Sequence, residues 1–298
     1  MKLTQLQLLK TLLNNGLNIT EAAKQHYVVQ SAVSRQLSLL EDELGMPLFE
    51  RKGKRLIAPT PLCVDIAKEV DTMEMALENI RAVSDDHRDG RIGDLRLATT
   101  HTQAKYFLPS VLNKFREKYP KVKIHFFQGN PEQLVKMLHQ READIAVCTE
   151  ELGQHSDLIA QKCYDWNHAL IVPKGHALAT GEIDLERIAE HPLLTYVFGF
   201  TGRTKIHETF EKLGIKMNIT FAATDTDVIK SYVRLGFGVG LIAKMAYSEK
   251  TDSDLVLRDL SHFFPKSTTR VAYVKNKYMK TYLKDCVELM VADGKAMM

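Results

Sequence analysis

The chain has 298 residues, 45% of them apolar and 26% charged, with a net charge of +3, ordinary globular proportions for about two domains. No apolar run approaches the roughly 20 residues needed to cross a bilayer. The first residues mix leucine with Lys2, Gln5 and Lys10 rather than forming a signal peptide, so a cytoplasmic protein with no membrane partner is expected. Four cysteines, Cys63, Cys148, Cys163 and Cys286, lie far apart without a C-x-x-C pair. That argues against a disulfide framework or zinc knuckle, and they read as buried thiols.

The charge is unevenly placed. Residues 1–60 hold eight Lys or Arg against five Asp or Glu, a balance of +3, while the rest of the chain is neutral. A basic head on a neutral body suits a chain that meets a phosphate backbone at one end.

Leu6, Leu9 and Leu13 recur at helical spacing until Asn14-Asn15-Gly16 stops them, which predicts a first helix. Asn18 and Glu21 have capping-box spacing, so a second helix starts near Ile19 with Ala22-Ala23 against its neighbours. A third is predicted over 30–44, ended by Gly45. On it Val33, Leu37, Leu40 and Leu44 form one stripe, and Ser31, Ser34, Arg35 and Ser38 the opposite one. Small hydroxyls allow close approach to a major groove, Arg35 reaches guanine edges or phosphate, and Gln30 pairs with adenine; the alternative is an ordinary solvated face. Two short apolar pieces then flank a basic turn with Arg51, Lys52, Gly53, Lys54 and Arg55. This reads as a wing whose cations lie along phosphate or in the minor groove, or else as a solvated basic turn.

The ordered series Ala22-Ala23, Gln30-x-x-Val33-Ser34-Arg35-Gln36-Leu37, Leu40-Glu41, Leu44-Gly45-x-x-Leu48-Phe49-x-Arg51 and Thr60-Pro61 resembles the winged helix-turn-helix of LysR-type transcriptional regulators. The resemblance implies DNA contacts at Gln30, Ser31, Ser34 and Arg35, with wing contacts at Arg51 and Lys54. The turn departs from the family pattern, with Val29-Gln30-Ser31 where Ser then Gln-Pro is usual.

Thr60 is a plausible N-cap and Pro61 suits a first helical position. Leu62, Ile66, Val70, Met73, Leu77 and Ile80 then recur close to a 3.5-residue seam, over a helix running to about Asp86 and about 39 Å long. A partner helix, or a face of the same chain, must cover that seam. In the resembling family it pairs two DNA-binding heads, which implies a homodimer or homotetramer on an interrupted palindrome, with RNA polymerase a candidate partner. The polar run 85–90 reads as the end of the helix and a hinge.

From Leu95 onward short strands alternate with helical patterns: strands at 95–99, 122–128, 145–149, 169–172, 193–196, 219–222, 239–243 and 268–274, and helices at 103–118, 131–141, 203–213, 225–235 and 278–290. Such βα alternation predicts doubly wound sheets, which bind ligands beyond the carboxyl ends of their strands. The expected architecture is α/β: a winged helix-turn-helix (1–59), a linker helix (60–88) and an effector domain (89–298) like a periplasmic binding protein. Its first subdomain takes 89–164 and 268–298 and its second 165–267.

Two hydroxyl-rich turns, Thr99 to Gln103 and Phe198 to Arg203, each follow a strand and open a helix, and Thr149 ends a third strand. Thr, Gln and backbone N–H groups without a matched Lys suit a fully ionised oxyanion such as sulfate; helix capping alone is the other reading. The stretches 98–104, 196–203 and 223–236 resemble the cysteine-regulon activator (CysB) branch of the LysR family. That resemblance implies an anion site from Thr100, Thr102, Gln103, Thr149 and Thr201, with Trp166 at the subdomain crossover unless it is core. It also implies acetylserine, sulfate or thiosulfate as effectors and control of sulfur-assimilation and cysteine-biosynthesis genes.

No H-E-x-x-H or G-x-S-x-G signature supports an enzyme, and no cofactor is expected. Gly236-x-Gly238-x-Gly240 reads as a tight helix-to-strand turn. A regulator of another pathway and a solute-binding protein are the remaining rivals.

Overall fold

The computed structural model describes residues 1–53, 55–200 and 202–296, which form two compact units, Met1–Ala82 and Val83–Met298. In the first, α1 (Leu3–Asn14), α2 (Ile19–Gln25) and α3 (Gln30–Leu44) are followed by the antiparallel pair β1 (Phe49–Lys52) and β2 (Arg55–Pro59). The boundaries have local causes. The Asn18 side chain accepts from the Glu21 N–H at 3.1 Å, and Gly45 ends α3 in the left-handed region at φ +71°, where a side chain is strained. Leu9, Leu12, Ala22, Val33, Leu40 and Leu48 bury one shared core.

Helix α4 (Pro61–Asp89) has 29 residues, about 43 Å at 1.5 Å per residue. The Thr60 hydroxyl accepts from the Cys63 N–H at 3.3 Å and so caps it. Its first turns sit in the N-terminal core through Cys63, Ala67 and Val70, and Ile80 further along is 66% exposed. The polar run expected as a hinge is helical through Asp89. It is also tethered: Asp86 accepts from the Thr281 N–H and the Tyr278 hydroxyl, each at 3.0 Å. Burial pushes the Asp86 carboxyl up, but these bonds outweigh it and hold the group below the usual carboxylate range.

The second unit holds two mixed five-stranded sheets. The first contains β3 (Ile92–Thr99), β4 (Lys121–Gln128), β5 (Ile145–Cys148), β6 (Leu158–Trp166) and, from far along the chain, β12 (Ser267–Val274), in the order β4-β3-β5-β12-β6. Between β3 and β4 lie α5 (His101–Tyr106) and α6 (Leu108–Lys118). These are two helices where one was expected, broken at Phe107 ahead of Pro109, which lacks the N–H a continuous helix needs. α7 (Pro131–His139) joins β4 to β5.

The chain leaves this sheet after Trp166 and builds the second from β7 (His168–Pro173), β8 (Leu193–Tyr196), β9 (Ile219–Ala223), β10 (Val239–Ala243) and β11 (Leu255–Asp259), ordered β11-β7-β10-β8-β9. Helices α8 (Leu185–Ala189), α9 (Arg203–Lys212) and α10 (Thr226–Arg234) cover it, and α11 (Thr281–Ala296) packs back on the first sheet. Strands β6 and β11 had no counterpart in the expected set. At the helix-to-strand turn, Gly238 has φ +148°, and a Cβ there would meet the Pro192 carbonyl oxygen at 2.1 Å. Glycine is required for that close approach. No described helix is long and apolar enough to cross a membrane.

Candidate nucleic-acid interface and anion cleft

In the first unit, α3 buries Val33, Leu37 and Leu40 and leaves Gln30, Ser31, Ser34 and Arg35 exposed on its other side. Gln30, Ser31 and Ser34 form one wall of a 990 Å³ groove whose other walls are the 16–19 turn and Arg55 of β2. Short hydroxyls line the groove and a guanidinium stands at its edge, a surface that accepts a polyanion closely. The Gln30 amide donates to the Thr20 hydroxyl at 2.5 Å, which fixes its direction while leaving its carbonyl oxygen and second N–H available.

The wing cations divide. Arg51 pairs with Glu41 at 2.5 Å, and Glu41 also accepts from the Leu48 N–H at 2.8 Å, so Arg51 braces the wing against α3. Arg55, one of the wing cations expected along phosphate or in the minor groove though not among the contacts the resemblance implies, faces the groove instead. Lys54 lies outside the described residues.

In the second unit, Thr100, Thr102, Gln103, Thr149 and Trp166 are all buried, and Thr201 lies outside the described residues. Strand register brings two of these to neighbouring strand ends: Thr99 of β3 pairs in parallel with Val147 of β5, so Thr100 and Thr149 both follow the carboxyl ends of paired strands. The Thr99 hydroxyl is taken by the Val147 carbonyl at 2.8 Å. Neither Thr100 nor Thr149 caps the helix it precedes, and neither hydroxyl has a hydrogen bond among the described residues. Two buried, uncommitted hydroxyls at neighbouring strand ends are ready donors for a small acceptor-rich ligand.

Thr102 and Gln103 are committed differently. The Gln103 amide donates to the Thr269 hydroxyl at 3.2 Å, and its oxygen accepts from the Tyr164 phenol. Burial pushes the Tyr164 phenol far up, which keeps it a neutral donor. Thr102 hydrogen-bonds Tyr196 of β8, whose hydroxyl also meets Thr226 at 2.7 Å and accepts from the Ala243 N–H at 3.1 Å. Full burial raises the Tyr196 phenol to about 12 despite these bonds. Trp166 and its neighbour Asn167 line a 570 Å³ cavity with Lys244 and Lys266; the indole Nε1 and the Asn167 Oδ1 are buried without partners among the described residues.

A second link joins the two sheets' helices. Lys105 of α5 pairs with Asp227 of α10 at 2.5 Å, and Lys230 pairs with Asp252 at 2.7 Å, both groups buried. Composition gave no sign of these residues. The only hint was Asp227, Lys230 and Arg234 at helical spacing within a stretch whose roles were unassigned.

A family model described as "Bacterial regulatory helix-turn-helix protein, lysR family" matches residues 3–63, and one described as "LysR substrate binding domain" matches residues 88–295. Over 97% of its length the chain is 44% identical to the HTH-type transcriptional regulator CysB of Haemophilus influenzae, spanning 89% of that protein. It is 40% identical to the HTH-type transcriptional regulator SsuR of Burkholderia cenocepacia, over 97% of this chain and 94% of that one. The crystal structure of the cofactor-binding domain of the Cbl transcriptional regulator superposes with a TM-score of 0.64 at 37% identity, covering 69% of this chain and 93% of that one. The chain belongs to the LysR family of DNA-binding transcriptional regulators, and its relatives are regulators rather than enzymes.

Proposed function

We propose that this regulator controls sulfur-assimilation and cysteine-biosynthesis genes in response to a small anion such as sulfate, thiosulfate or an acetylserine-type metabolite. The observation that carries the reading is the pair Thr100 and Thr149: buried hydroxyls on neighbouring strand ends with nothing in the described chain to bond. Dipolar donors of this kind hold a fully ionised oxyanion with little need for a titrating partner. Thr102, Gln103 and Trp166, with Thr201, complete the proposed lining, Gln103 being oriented by Thr269 and Tyr164. Likeness to the CysB branch supports the pathway.

On DNA, Gln30, Ser31, Ser34 and Arg35 enter the major groove, and Arg51 and Lys54 support the wing against the backbone. α4 pairs two heads on an interrupted palindrome in a dimer or tetramer, with RNA polymerase the further contact expected of an activator. Effector binding alters operator affinity only through unequal affinity for the two assembly states.

Calorimetry with sulfate, thiosulfate and O-acetylserine tests the reading. At least one is expected to bind saturably and to change operator affinity in a gel shift, and Thr100→Ala is expected to weaken that binding while leaving ligand-free DNA affinity unchanged. Absence of saturable binding by all three, or equal affinity in Thr100→Ala, would reject the anion site.

A further inference from the structure

We infer that Arg203 is the cationic anchor of the effector cleft, holding the negatively charged oxygens of a small oxyanion through its guanidinium at the start of α9. This rests on the reading of the second unit as an anion-binding cleft and adds the countercharge which that reading lacks.

Arg203 is 4% exposed, and arginine stays protonated at any physiological pH. A charge removed from water costs several kcal/mol unless a partner compensates it. No carboxylate or hydrogen-bond acceptor meets its guanidinium among the described residues, and Nη1 is fully buried without a partner. What it has is the face of Phe198, 4.5 Å from the ring centroid, a contact that tolerates the cation without neutralising it. Burial alone therefore pulls its pKa below the ordinary guanidinium range.

Lys230 is buried as deeply, yet Asp252 meets it at 2.7 Å. This fold neutralises one buried cation from its own chain and leaves the other for something that arrives.

The surroundings specify an anion. Arg203 is the first residue of the ten-residue helix α9, and its cap, Gly202 at φ +68°, has no side chain to offer the helix start, so the positive end of the helix dipole adds to the guanidinium. Gly202 is pressed against the crossover segments: a Cβ there would meet the His168 ring at 2.7 Å and the Ser267 hydroxyl at 3.3 Å. Trp166, whose ring lies 5.1 Å from that of His168, brings a second buried and unpartnered donor, Nε1, to the same crossover. A planar two-nitrogen fork suits a sulfonyl or carboxylate edge better than a point charge does.

The test uses the full-length protein with sulfate as probe at constant ionic strength, comparing wild type, Arg203→Gln and Arg203→Lys by thermal shift and calorimetry. Arg203→Gln removes the uncompensated charge, so its melting temperature without sulfate is expected to equal or exceed that of wild type, while its sulfate affinity falls at least tenfold; Arg203→Lys retains part of that affinity. Sulfate affinity in Arg203→Gln within twofold of wild type, with Thr100→Ala still impaired, would overturn the role of Arg203 and leave the anion cleft standing. A lowered melting temperature with unchanged affinity would make the residue structural only and also overturn it. If wild type shows no saturable sulfate binding while thiosulfate or O-acetylserine binds, the same comparison on that ligand decides the role of Arg203; if none binds, the cleft reading falls and the anchor with it.

Discussion

The Tyr106 phenol on α5 donates to Asp227 Oδ1 on α10 at 2.9 Å, linking helices that belong to different sheets. Lys230 donates to the same phenol oxygen at 3.2 Å and is itself held by Asp252, so the link runs from one subdomain into a buried ion pair of the other. Burial, followed by the Asp227 carboxylate, raises the Tyr106 phenol well beyond its usual value, which keeps its proton in place for donation. A bond of this kind contributes about 1 kcal/mol net, about fivefold in an equilibrium constant. Tyr106→Phe is expected to keep the fold and weaken effector binding by up to about fivefold, because the closed cleft loses one of its ties. Calorimetry on the variant, with small-angle scattering for compactness, checks this. Unchanged values in both would uncouple the link from closure.

The DNA head was readable because its determinants are local. Apolar spacing on α3, Gly45 after it and the basic turn 51–55 each act within a few residues. The cleft was readable only in part. Thr100 and Thr149 stand out as strand-end hydroxyls, but whether a hydroxyl or amide is free depends on partners far along the chain. Gln103 is occupied by Thr269, 166 residues away, and by Tyr164, 61 away. Arg203 reads in sequence only as the residue that opens a helix, and nothing near it in sequence reveals its burial. Strand β6 escaped because its burial follows no alternation, and β11 because it is a five-residue edge strand containing Arg258 and Asp259.

Arg35 is exposed and outside every core cluster, so Arg35→Ala is expected to leave the melting temperature unchanged. Loss of a bidentate base contact costs about 1–3 kcal/mol. Fluorescence anisotropy on operator and scrambled duplexes should therefore show a large loss on the operator and little change on the scrambled DNA. Equal losses on both would make Arg35 a phosphate contact.

Asp144 holds two cations, Arg96 at 2.7 Å and Lys277 at 2.6 Å, on one carboxylate. Burial would raise its carboxyl, but Arg96 and Lys277 outweigh burial and hold it below the usual range. A depressed carboxylate stabilises the fold fully above its unfolded pKa of about 3.9, and that stability is lost as pH falls through the folded value. Asp144→Asn is expected to cost about 3 kcal/mol near neutrality, since it leaves two cations without their counter-ion. It should also flatten the fall in melting temperature below about pH 4. Equal slopes in wild type and variant would place the acid sensitivity elsewhere.

The face of α4 beyond the N-terminal core carries its own test. Val70 is 2% exposed and Ile80 66%, although both lie on one seam of near-heptad spacing. A long helix with an uncovered apolar seam gains little by itself in water and much from a second copy. Ile80→Glu places a charge at a position where the single chain has no packing to lose, so the melting temperature of an isolated subunit should not change. Across a paired seam the same charge meets its symmetry mate or an apolar partner, and the dimer is expected to dissociate at micromolar concentration. Sedimentation velocity reads the mass directly. Operator binding should weaken alongside, because two linked heads bind through a high effective concentration that separate heads lack. An assembly of unaltered mass would mean that the seam is covered by something other than a second α4.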